Sequence, residues 1–237
     1  MIDIDQILQK SGTIVSGHLV YKAGTHGIYY IDKERYVNLS ARELSSLIRG
    51  VGLNAIAKGL QIPANVERVG VIGPAMGAIA YTLTLAECLE ESFPAIKFFP
   101  ARSELETDPT GKKIHVIPDK LLFLYQDNFF FILEDIVNNG TTVREVKKLF
   151  EKVAGARIIA AMCIVDRGGQ TPESLGIKQY YPLRRIQIEQ WDPHKEPCPL
   201  CTRCIPINTT FGRGKRWVEL FGHPPYPPET DFSPFWE

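Results

Sequence analysis

The stretch FFFILEDIVNNGTTVREV, Phe129 to Val146, constrains the fold more than any other part of the chain. Phe129 to Leu133 is a continuous apolar run of strand formers. Without polar alternation it reads as a strand buried on both faces, as in a parallel sheet. Glu134 and Asp135 stand at its carboxyl end, where two adjacent like charges cost free energy unless solvent, a cation or hydroxyl donors compensate. Asn138, Asn139 and Gly140 tolerate positive φ and form a turn. Thr141 or Thr142 then caps a helix whose apolar positions Val143, Val146, Leu149, Phe150 and Val153 recur at helical spacing. The unit is strand, acidic pair, tight turn, helix N-terminus. Unpaired N–H groups and the helix dipole make such an N-terminus an anion site, and ligands of α/β sheets bind beyond the carboxyl ends of the strands. The ligand expected here carries a phosphate at one end and hydroxyls or a metal at the other.

The rest of the chain repeats this pattern. RVGVIGPAMGAIAYTLTLAECLEE reads as a buried strand, a Gly-Pro turn and a helix from about Ala78. AIKFFPAR and ARIIAAMCIVDRGG read as further strands, the latter again ending in charges. Ser40 and Glu43 form a capping-box pattern ahead of an amphipathic helix. SELETDPTGKKIHVIPDKLL is polar and reads as a mobile hairpin or loop. Strands alternating with helices indicate an α/β fold with a central parallel sheet flanked by helices. Beyond about residue 180 proline and aromatic residues dominate. Residues 1–180 are therefore expected to form the core, and 181–237 a Cys/Pro-rich arm extended over it.

Composition narrows the function. The 237 residues are 44% hydrophobic with a formal net charge of +0, which disfavours a dedicated nucleic-acid binder. No apolar run approaches the roughly 18 residues of a membrane span. The opening MIDIDQILQK lacks the basic start of a signal peptide, so a cytoplasmic protein is expected. An odd count of five cysteines argues against a disulfide framework. No P-loop and no Gly-x-Gly-x-x-Gly string occurs.

The string from Phe129 to Thr142 closely resembles the phosphoribosyl pyrophosphate-binding signature of type I phosphoribosyltransferases. SGHLVYKAGTHGIYYIDK, VIGPAMGAIA, CIVDRGGQT and the C-terminal CPLC, IPIN and GRGK segments are similar to orotate phosphoribosyltransferase-like members of that family. The resemblance implies an enzyme that transfers 5-phosphoribosyl to a nucleobase nitrogen, with orotate leading, hence pyrimidine nucleotide synthesis. Purine or other base specificity, or a non-catalytic sensor of phosphoribosyl pyrophosphate or a nucleotide, are the alternatives. It further implies an N-terminal hood, Mg2+ bound with the pyrophosphate, and a homodimer. By resemblance, Glu134 and Asp135 face the ribose hydroxyls, and Asn139, Gly140, Thr141 and Thr142 wrap the 5′-phosphate. Asn138 falls near the base, Ala75, Met76 and Gly77 in the pyrophosphate loop, Arg102 in the catalytic loop, and Arg167 on a base-contacting arginine. The chain departs from the family pattern where lysines are expected: Met76-Gly77 offers none, Ser103 and Glu106 replace two, and His26 replaces an N-terminal one. Lys112 and Lys113 are the candidate substitutes.

Cys198-x-x-Cys201-x-x-Cys204 has metal-ligand spacing, but zinc needs a fourth ligand, for which His194 or His223 is the candidate. With only three closely spaced thiols, packed or surface cysteines are favoured over zinc. Cys88 and Cys163 read as small buried hydrophobes. His18 and His115 show no partner pattern and read as structural.

Overall fold

The computed structural model describes residues 4–74, 79–193 and 195–236. Its strands are β1 (Ile14–Val20), β2 (His26–Ile31), β3 (Arg68–Gly73), β4 (Lys97–Arg102), β5 (Glu104–Thr107), β6 (Lys113–Val116), β7 (Phe129–Val137), β8 (Arg157–Asp166), β9 (Gln179–Arg185) and β10 (Gln190–Trp191). Its helices are α1 (Ile4–Ser11), α2 (Ala41–Ala57), α3 (Ile79–Ser92), α4 (Asp119–Tyr125), α5 (Thr141–Phe150), α6 (Pro172–Leu175), α7 (Pro199–Thr202) and α8 (Gly214–Phe221).

The chain divides into two units, one containing Ser40–Gln187 and the other made of Asp5–Leu39 with Ile188–Glu237. This division differs from a boundary at residue 180 with the N-terminal segment counted in the core. The cause is strand pairing, because β2 takes β1 on one edge and β10 on the other.

The first unit carries the expected α/β sheet. Five parallel strands run in the order β4-β3-β7-β8-β9. The run Phe130 to Leu133 is fully buried in β7, flanked on both sides by paired strands. On one face Phe130 meets Phe99, Tyr125 and Phe150, with Val143 and Val146 of α5 in the same core cluster. Helices α2 and α3 pack together, α3 against β3 and β4 and α2 against β8 and β9. The capping box at Ser40 and Glu43 forms as read from the sequence. The segment after β4 is the β5–β6 hairpin, whose turn is fixed by Asp108 accepting from the Thr110 and Lys112 amides.

In the second unit the C-terminal segment differs from an extended arm. It folds around Trp217 of α8, fully buried among Phe221, Phe232 and Phe235 and within one cluster with Val20 of β1. Trp217, Phe221, Tyr226, Phe232 and Phe235, among the aromatic residues that gave the tail its unusual composition, form its core.

Candidate active site

The carboxyl ends of the five parallel strands bring together Gly73, Arg102, the Glu134–Val137 segment, Asp166 and Arg185. Connections from β3 run to β4 on one side, whereas β7, β8 and β9 follow on the other, so the strand order reverses at β3/β7. Crevices at such reversals are where open α/β sheets bind ligands.

Strand β7 runs four residues beyond Leu133. Glu134 and Asp135 therefore lie inside the strand, with Glu134 in register with Cys163 and Val137 with Asp166. Both carboxylates are half-buried. Asp135 Oδ1 accepts from the next amide, Ile136 N, at 2.6 Å. Asn138 and Asn139 are exposed, and Gly140 is buried with φ 71° and ψ 13°. That left-handed conformation favours glycine, and a Cβ there would run into Leu175. Gly140, not a threonine, is the N-cap of α5, and no side chain caps the helix. Thr141 instead opens it, its amide and hydroxyl donating to Asn139 Oδ1 at 3.3 and 3.0 Å. The side chain that would have capped the helix is engaged in the turn. The remaining first-turn amides have no intrahelical acceptor by helix geometry.

The loop after β8 lies directly against this turn. Arg167 N donates to Val137 O at 2.9 Å, and a Cβ on Gly168 would overlap the carbonyl of Asn138. Arg144 reaches from α5 to Ser174 O at 3.2 Å. Arg167 is half-buried, and its Nε has no hydrogen-bond partner among the described residues. Asp166, 1% exposed, was not singled out from the sequence. Its Oδ1 accepts from the Gly168 and Gln170 amides and its Oδ2 lies 3.5 Å from Arg185 Nη1, so it fixes the loop that carries Arg167. Its only signal in the sequence was a strand ending in charge.

Arg102 ends β4 beside Gly73 and pairs with Glu104 at 2.9 Å. Ala75, Met76 and Gly77 lie outside the described residues. Ser103, at an expected lysine position, is buried and its hydroxyl bonds Pro74 O at 3.2 Å and His115 Nδ1 at 3.0 Å. Lys112 and Lys113 are exposed on the β5–β6 hairpin. Cys88 and Cys163 are buried, as expected, and burial pushes both thiols up.

The cysteine cluster of the second unit differs from the expected set. His18, His26, Cys198 and Cys201 come together, with their ligand atoms within 4.8 Å of one another. Cys204 is exposed, His223 Nδ1 accepts from Ile207 N, and His194 lies outside the described residues. His18 and His26 were read separately in the sequence, one as structural and one in place of a lysine. A hydrogen bond from Cys201 holds the Cys198 thiol far below the usual range, with bonds to His18 and His26 adding to it.

A parallel sheet with an acidic strand end, a left-handed glycine turn and a helix N-terminus defines an α/β protein with an anion-binding crevice. The phosphoribosyl transferase domain model matches residues 48–194, and the chain belongs to that family. Among curated proteins it is 26% identical over 218 residues to an orotate phosphoribosyltransferase of Thermotoga petrophila, covering 89% of this chain and 98% of that one. An orotate phosphoribosyltransferase of Caldicellulosiruptor bescii is 29% identical over 217 residues, covering 89% and 96%. The crystal structure of orotate phosphoribosyltransferase from Aeropyrum pernix shares the fold, with a TM-score of 0.57 at 19% identity over 78% of this chain and 94% of that one.

Proposed function

We propose that the protein transfers 5-phosphoribosyl from phosphoribosyl pyrophosphate to orotate, forming the nucleotide and pyrophosphate. One observation carries this reading: half-buried Glu134 and Asp135 precede a Gly140 turn and the N-terminus of α5 on the same strand end. In this reading Asn139, Gly140, Thr141 and Thr142 hold the 5′-phosphate through amide and hydroxyl donors. Hydrogen bonds to a charged group are worth roughly 1.5–3 kcal/mol each, so several of them retain a phosphate without a lysine. Glu134 and Asp135 bind the ribose hydroxyls and favour the positive charge that develops at the ribose C1 as pyrophosphate leaves. Arg167, fixed through Asp166, pairs with the orotate carboxylate. Oxygen-only donors of this kind suit a hard cation, and Mg2+ held there with the substrate supplies neutralisation of the leaving pyrophosphate. Ala75, Met76, Gly77 and Arg102 belong to the pyrophosphate side. The protein is proposed to act in the cytoplasm as a homodimer on small-molecule substrates. Among the described residues no helix is long and apolar enough to cross a membrane.

A second reading, a sensor of phosphoribosyl pyrophosphate without turnover, is favoured by Ser103, buried and hydrogen-bonded where the family carries a lysine. Turnover with phosphoribosyl pyrophosphate, Mg2+ and a panel of bases separates the two. Orotate is expected to be consumed with release of pyrophosphate, and Arg167→Ala to impair orotate use far more than phosphoribosyl pyrophosphate binding. Turnover confined to purines, or binding without turnover, would overturn the orotate reading.

A further inference from the structure

We propose that His18, His26, Cys198 and Cys201 form a structural zinc site within the second unit. The ligand atoms come from separate elements: His18 from β1, His26 from the start of β2, Cys198 from the residue before α7, and Cys201 from α7 itself. His18 Nε2 lies 2.9 Å from His26 Nδ1, 3.7 Å from Cys198 Sγ and 3.6 Å from Cys201 Sγ, and Cys201 Sγ lies 3.3 Å from His26 Nδ1. Tetrahedral zinc with ordinary Zn–N and Zn–S bonds sets N···S edges of about 3.6 Å and an N···N edge of about 3.3 Å. The set matches after the imidazoles part by about half an ångström.

The surroundings also fit a metal. His18 Nδ1 lies 2.6 Å from the carbonyl of Ile205. Donation there leaves Nε2 with its lone pair towards the cluster, the orientation that metal-bound histidines take from an outer hydrogen bond. His18, His26 and Cys198 are 1%, 0% and 1% exposed. Two neutral imidazoles and two thiolates around a divalent ion sum to no net charge, so such burial needs no further counter-ion. Four protein ligands leave no open position, which marks a structural rather than a catalytic zinc. Cys198 and Cys201 also line a cavity of about 420 Å³. Binding ties the β1–β2 hairpin to the Cys198–Cys201 turn.

Elemental analysis of the full chain, expressed with zinc and freed of loose metal, tests the assignment. The expected result is about one zinc per chain, retained in Cys204→Ser and lost in Cys201→Ser. Because Cys201→Ser can fail by misfolding, cobalt is titrated into chelator-treated, reduced wild type and Cys204→Ser. Both are expected to give tetrahedral cobalt absorption with thiolate charge transfer, saturating at one ion. Absence of zinc together with failure to bind cobalt, iron in place of zinc, or loss of the ion in Cys204→Ser would overturn the proposal. None of these readouts depends on phosphoribosyl transfer, so the site stands or falls apart from the base specificity.

Discussion

Gly168 and Asp135 show how much of the site rests on single atoms. Gly168 has no room for a methyl group because the carbonyl of Asn138 occupies that space. Gly168→Ala therefore has to push the Asn138–Gly140 turn away from the loop after β8. Phosphoribosyl pyrophosphate with Mg2+ is expected to raise the melting temperature of the wild type by mass action. Asp135→Asn and Gly168→Ala should each reduce that rise markedly in a thermal-shift titration, and an undiminished rise in both would contradict the assigned ribose–phosphate site. At this scale the sequence was legible where neighbours along the chain set the local structure, as in the strand end, turn and helix start of Glu134–Thr142. It was not legible where folding brings distant residues together. Asp166 holds its loop through the Gly168 and Gln170 amides, contacts that leave no spacing pattern. The two histidines beside Cys198 and Cys201 lie far outside any local motif.

Strands and helices follow the same division. β7 was visible because a run buried on both faces has no polar alternation to obscure it. Its extension through Val137 was not, since Glu134 and Asp135 look like a terminus until β8 is seen pairing alongside up to Asp166. β9 (Gln179–Arg185) was missed altogether, because it straddles residue 180, beyond which a proline- and aromatic-rich arm was expected. Proline is tolerated there because β9 is an edge strand, as is β4 with Pro100. The centre of the sheet yields a stability prediction. Phe130 is fully buried against Phe99, Tyr125 and Phe150. Phe130→Ala is expected to cost about 3–5 kcal/mol in denaturant unfolding, and a loss below about 1 kcal/mol would contradict this packing.

For the whole molecule the decisive feature is a second unit assembled from both ends of the chain, with the first unit's sequence between them. β2 depends on β10 for one edge, and β1 depends on the tail through Asn208 N donating to His18 O at 2.7 Å and through Val20 in the Trp217 cluster. A chain ending at Gln187 is therefore expected to lose amide protection across β1 and β2 while β7 and β8 keep theirs. Retained protection of the hairpin in hydrogen exchange would show that it stands without the tail. This interleaving also imposes a chronology on biosynthesis. Cys201 follows His26 by 175 residues, roughly 10–35 s of translation. For that interval the nascent hairpin carries two imidazoles whose sulfur partners have not yet been made. The five-stranded sheet is synthesised completely in the meantime, so the β1–β2 hairpin waits for the tail while every strand of the first unit's sheet is already made.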